Sequence, residues 1–94
     1  MYLFTSLMKP TIKKPSDQEK KEAETWPIWE KEVSEFPWEY SDKETCLILE
    51  GDVTVTNEEG ENFYFSKGDY VIFPKGMKCK WKINKEVRKH YTFG

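Results

Sequence analysis

Lys89, Glu44 and Cys79 are the side chains of this chain whose types and surroundings could do chemistry. Val87, Lys89, Tyr91 and Phe93 alternate onto one face of a β-type run, and only the lysine breaks that apolar face. A buried, unpaired ammonium is costly. Lys89 is therefore expected beside a carboxylate, with Glu44 the candidate, or with its amine kept neutral as amine catalysts keep theirs. The plain alternative is a twisted strand from which the lysine stem reaches solvent. Cys79, Trp81 and Ile83 share one face of another alternating run. A thiol there is either an inert packed side chain or a thiolate nucleophile or soft ligand that needs a cation close by, for which Lys89 is the candidate. Glu44 could act as general acid or base in a suitable environment. His90, the single histidine, alternates onto the face opposite Lys89, which suits a packed or interface role.

The elements that must place these groups are short. The chain has 94 residues, enough for one domain with a small core. Only 37 % of residues are hydrophobic while 16 % are aromatic, so the apolar material is concentrated in large rings. Covering part of that aromatic surface with a second copy would help, and a homodimer is expected. The net charge of −2 and a pI near 5.5 speak against nucleic acid, whose binders need a surplus of Lys and Arg. No apolar run approaches the ~20 residues of a membrane span. Residues 1–7 do not read as a signal peptide, and Met8 could serve as a second start, making them a dispensable extension. Two cysteines without a secretory signal fit a reduced, cytoplasmic protein, in which a Cys46–Cys79 disulfide is not expected.

Residues 1–25 read as a short, irregular and partly flexible N-terminal arm. Within it, Thr11 to Lys14 could form a strand, and Ser16 with Glu19 makes a capping-box pattern for a turn or two of exposed helix. From residue 26 to residue 94, β-type runs alternate with Gly and Pro punctuation. Phe36, Trp38 and Tyr40 recur at period two, with Pro37 marking an edge or bulge. Cys46 to Leu49 suits a strand buried on both faces, Gly51-Asp52 reads as a turn, and Asn57 to Gly60 closes a hairpin onto Phe63 to Phe65. Lys67 to Asp69 and Pro74 to Gly76 make further turns around Tyr70 to Phe73, with Cys79 to Ile83 and Val87 to Phe93 as the last strands. Seven or eight evenly spaced strands imply a sandwich or barrel, and closure would hide the edges of an aromatic-rich sheet.

The run Gly68-Asp69-Tyr70-Val71-Ile72-Phe73-Pro74-Lys75-Gly76 resembles the second cupin motif. Gly68 permits the turn into a strand, and Pro74 with Gly76 ends it. Glu44, six residues and Gly51 resemble the end of the first cupin motif. Trp26-Pro27-Ile28-Trp29, Glu44-Thr45-Cys46, Phe73-Pro74-Lys75-Gly76-Met77 and Lys89-His90-Tyr91 resemble small single-domain cupins classed with the ureidoglycine aminohydrolase cupin domain. The resemblance covers residues 26–93. It implies an all-β, single jelly-roll barrel with a pocket at one end, often homodimeric.

The same resemblance places two metal-binding histidines at Trp38 and Tyr40 and a third at Cys79, leaving Glu44 alone of the usual ligands. A catalytic zinc wants three protein ligands, and manganese or iron prefers oxygen and imidazole donors. No tightly bound cofactor is therefore expected, a weakly held Mn or Zn ion being the alternative. The expected pocket is lined by Glu44, Cys79 and Lys89 as catalytic candidates and by Trp38, Tyr40 and Trp81 as ligand-binding candidates, although these three rings could equally be core. Its partner would be a small polar molecule bearing a carboxylate or amide. Two functions fit: an aminohydrolase-like enzyme using Glu44 or Lys89 for proton transfer and Cys79 as nucleophile, or a non-catalytic binding module.

Overall fold

Two long antiparallel strands, β4 (Glu44–Asn57) and β7 (Lys78–Phe93), lie side by side along their whole length and organise the fold. The computed structural model describes residues 8–94, so the expectation about residues 1–7 lies outside the described residues. The remaining elements are β1 (Thr11–Lys13), α1 (Asp17–Ala23), β2 (Ile28–Lys31), β3 (Ser34–Glu39), β5 (Asn62–Ser66) and β6 (Tyr70–Phe73).

Each half of the β4–β7 ribbon recruits its own neighbours. The first half of β4 pairs with β6, and the last part of β7 pairs with β2. The second half of β4 pairs with β5, and the first part of β7 pairs with β3. The ribbon bends between the halves, where the ladder slips in register around Ile48, Glu50, Asp52 and Val53. Bulges of this kind sharpen twist and bend a strand without ending it. Gly51-Asp52, read above as a turn, is thus a kink inside one continuous strand. Gly51 has φ +120, and a Cβ there would lie 2.8 Å from both the Glu86 carbonyl oxygen and Val87 Cγ2. Only glycine lets the two strands approach so closely at the bend.

The bend folds the two halves over one core. Cys46, Ile48, Val71, Phe73 and Val87 come from one half, and Val53, Val55, Phe65, Trp81 and Ile83 from the other. Tyr40 and Met77 complete the same cluster. Ring contacts are numerous, with Tyr40 stacked on Phe73 at 4.6 Å and Phe65 edge-on to Trp81 at 5.5 Å. Such pairs contribute about 0.5–1.5 kcal/mol each beyond their area burial. The architecture is the expected mostly-β jelly roll, and among the described residues it has seven strands in a sheet that does not close. Its hydrogen-bonded path runs β1-β6-β4-β7-β2 and stops. The outer strands are short, and Pro37 interrupts the pairing capacity of β3, which blunts the exposed edges.

Residues 8–25 supply to the fold the short strand and capped helix expected within the N-terminal arm. β1 extends the sheet by pairing with β6. The capping box forms: Ser16 Oγ accepts from the Glu19 amide at 3.1 Å, and the Glu19 carboxylate accepts from the Ser16 amide at 2.9 Å. Ala23, the one apolar residue of the helix, is fully buried with Leu47 and Tyr70 in a second cluster outside the main core.

Candidate functional site

The core is apolar except at one end, where Lys89 and Glu44 meet. Lys89 alternates inward with Val87 on β7, and Glu44 opens β4 with its side chain on the same interior face as Cys46 and Ile48. The Lys89 ammonium donates to Glu44 Oε2 at 2.7 Å, and both side chains are 5 % exposed. The same ammonium lies 4.8 Å from the ring centroid of Trp29 and 4.8 Å from that of Trp81. The two indoles meet edge to face at 6.0 Å, so the lysine head is held in a corner of aromatic faces with one carboxylate as counter-ion. Cation–π contacts of this desolvated kind contribute roughly 2 kcal/mol, which offsets part of the cost of removing the charges from water.

This corner forms one wall of a cavity of about 170 Å³. That is the size class that holds a single benzene-sized molecule. Trp29, Phe36 and Trp81 form aromatic walls, with Phe36 stacked on Trp81 at 6.0 Å. Tyr91 contributes beside Lys89, and Trp38 and Phe93, 46 % and 51 % exposed, stand at the mouth. Tyr40 is buried at the inner end, where its hydroxyl oxygen accepts from Trp81 Nε1 at 3.1 Å. Burial first, and then the charge of Glu44, push the Tyr40 hydroxyl far above the usual phenol range, so it stays protonated. A larger hollow of about 380 Å³ beside α1 is lined by Lys14, Lys20 and Lys67, of which Lys14 and Lys67 are paired with Asp69 and Glu50.

Five of the six residues picked out from sequence line the cavity: Glu44, Lys89, Trp38, Tyr40 and Trp81. Cys79 does not. It is half-buried near the outer end of β7, opposite Trp38 of β3 and Asn57 of β4. Burial pushes its thiol up to about 11, and no cation acts to bring it down. The lysine expected to activate it is held by Glu44 instead. Cys46 is fully buried, donates to the Val71 carbonyl oxygen at 3.6 Å, and is pushed up to about 12 by burial. Both thiols are free. His90 faces away from the cavity, and its Nδ1 lies 2.9 Å from the Trp26 carbonyl oxygen. A carbonyl can only accept, so Nδ1 carries the proton and pins the chain entering β2.

Four lining residues lie beyond those picked out. Phe36 shares the period-two pattern of Trp38 and Tyr40, and Tyr91 with Phe93 shares the face of Lys89, so the signal for these three was present in the alternation. Trp29 appeared only within the Trp26-Pro27-Ile28-Trp29 resemblance, with no alternation to place it, and its position comes from its ladder partnership with Lys89 across β2 and β7.

The cavity residues do not fit a metal ion. Among the described residues no three His, Cys, Asp or Glu side chains converge. Glu44, the one carboxylate of the lining, already faces an ammonium that would repel a second cation. Trp38 offers an indole with no lone pair to donate, and Tyr40 a hydroxyl that keeps its proton.

Comparison with known proteins agrees with this architecture. A DUF861 family protein from Thermotoga maritima superposes with a TM-score of 0.88 and 53 % identity, over 92 % of this chain and 100 % of its own. A putative ethanolamine utilization protein Q from Salmonella typhimurium superposes with a TM-score of 0.64 and 29 % identity over 70 % of this chain, but only 53 % of its own length. A DUF861 family protein of unknown function from Pseudomonas syringae pv. tomato gives a TM-score of 0.65 and 28 % identity over 71 % of this chain and 29 % of its own. No curated protein matches the chain. The family described as the EutQ-like cupin domain matches residues 18–91, nearly the whole described fold with every cavity-lining residue except Phe93, and this chain belongs to that family.

Proposed function

We propose that this cupin domain binds a small, flat-bodied molecule through an amide-like head, using the Lys89–Glu44 pair where metal-binding cupins use an ion. The carrying observation is that pair, 2.7 Å long and 5 % exposed, in the wall of an aromatic cavity. The pair is neutral as a whole and offers a donor beside an acceptor. An amide or ureido group matches both, its oxygen toward Lys89 and its N–H toward Glu44. A carboxylate would instead compete with Glu44 for the one ammonium. Aromatic walls suit a planar body, and the small volume excludes drug-sized ligands. Titration with benzamide, a small urea and benzoate, followed by NMR of the indole N–H groups, tests this. Shifts at the cavity indoles Trp29, Trp81 and Trp38 but not at Trp26, stronger for the amides than for benzoate, are expected. Absence of such shifts across the amides, or stronger binding of benzoate, would overturn the reading.

The buried pair also supports a catalytic second reading. Glu44 and Lys89 are within proton-transfer distance, and a kinship with ureidoglycine aminohydrolase-type cupins would set them against a ureido carbon–nitrogen bond. Ammonia release from small ureido compounds, lost in Glu44→Gln, distinguishes this from a module that only binds. Cytoplasmic residence is supported by the two free thiols, and a homodimer by the exposed Trp38 and Phe93 at the mouth. Sedimentation equilibrium of the purified chain checks the latter.

A further inference from the structure

Filling the corner between Trp29 and Trp81 does not require a lysine. Apolar side chains of equal volume generally stabilise a core as well as a buried ion pair does, because both charges lose their water on burial. What lysine adds is a primary amine, a nucleophile, set 2.7 Å from a carboxylate that can carry protons and opening on a cavity large enough for one small molecule.

We propose that Lys89 is a reversible covalent site for a small aldehyde or ketone, which enters the cavity and condenses with the ε-amine to a protonated imine. This rests on the reading of the cavity as a small-molecule pocket and deepens it by naming a substrate class. Glu44 takes a proton from the ammonium and frees the nitrogen lone pair. The nitrogen attacks the carbonyl carbon, a C–N bond forms, and the displaced π pair on oxygen is protonated by Glu44. The nitrogen then returns a proton to Glu44, which passes it to the new hydroxyl. That hydroxyl leaves as water while the nitrogen lone pair closes the C=N bond. Ammonium plus carbonyl compound gives iminium plus water, with no oxidant, reductant or metal. Charge is conserved overall, so the iminium product restores to Glu44 and both indole faces the cationic partner that the ammonium provided. The aromatic walls limit water near the imine and slow its hydrolysis.

Reductive trapping tests this on the intact wild-type chain. Benzaldehyde at limiting concentration with cyanoborohydride at neutral pH converts an imine to a stable benzylamine, which peptide mass mapping locates. Lys89, although buried, should be labelled at least tenfold more than the exposed Lys82 and Lys85, and excess benzamide should suppress only the Lys89 label. Glu44→Gln should lower Lys89 labelling at least tenfold and leave the exposed lysines unchanged; if that variant does not fold, the wild-type ratio and the benzamide protection decide. Labelling that follows exposure, with Lys89 no higher than Lys82, overturns the imine. Benzamide binding in the same sample then separates the two ideas: if it persists, the pocket stands without covalent chemistry, and if it is absent, both fall.

Discussion

Glu44 and Lys89 touch at 2.7 Å although they are not ladder partners: the backbone of Lys89 faces Ile48, and that of Glu44 faces Phe93. The lysine side chain thus reaches along the β4–β7 ribbon to bring its ammonium to the carboxylate. Removing one partner therefore strands the other inside the core. Glu44→Ala and Lys89→Ala should each lose about 3–5 kcal/mol in urea unfolding, a large share of the stability of a domain this size. Replacing both at once, Glu44→Leu with Lys89→Met, should return most of that loss.

Tyr40 and Trp81 are joined by a side-chain hydrogen bond between two core rings. Tyr40→Phe keeps the stacking on Phe73 but leaves the buried indole N–H of Trp81 without its acceptor. A loss of about 1–3 kcal/mol is expected, with a shifted Trp81 indole N–H resonance as the local reporter.

Gly51 permits the bend that folds the two half-sheets together. Gly51→Ala forces a Cβ to 2.8 Å from Glu86 and Val87 at a φ of +120, and should destabilise by roughly 1–3 kcal/mol or more. Thermal unfolding of the variant measures it. An exposed glycine with open space around it, Gly60, provides the comparison for strain without a clash.

Alkaline pH should weaken the fold through its cysteines. Cys79 and Cys46 hold their protons up to about 11 and about 12, against about 8.5 for a free thiol. Between those values the folded chain binds more protons than the unfolded one, so stability present below about pH 8.5 is lost as pH rises through the window. Alkylation of Cys79 at pH 8 should be about two orders of magnitude slower than that of free cysteine, rising close to tenfold per pH unit toward pH 11. Rapid labelling at neutral pH would restore a nucleophilic role for Cys79.

Much of this was legible because alternation is a local signal. Strand faces placed Lys89 among apolar residues and aligned Phe36, Trp38 and Tyr40, while a lysine in that setting demanded a carboxylate. The bend at Gly51 was misread because glycine next to aspartate marks a turn and a bulge alike. The difference lies in whether hydrogen bonding to β7 resumes beyond it, which is a property of the partner strand. Cys79 lies outside the cavity lining for a similar reason. Its interior face was read correctly enough, but the distance between residues on one long bent strand depends on the bend. Trp29 could be found only once the register of β2 against β7 was known.

The most direct measurement is amide binding to protein stripped of metal. Benzamide titrated in excess EDTA, read on the Trp29 and Trp81 indole resonances, should bind as it does without chelator, and Lys89→Met should abolish the effect. Binding that vanishes with EDTA and returns with one equivalent of manganese or zinc would contradict an ammonium–carboxylate pair as the recognition element.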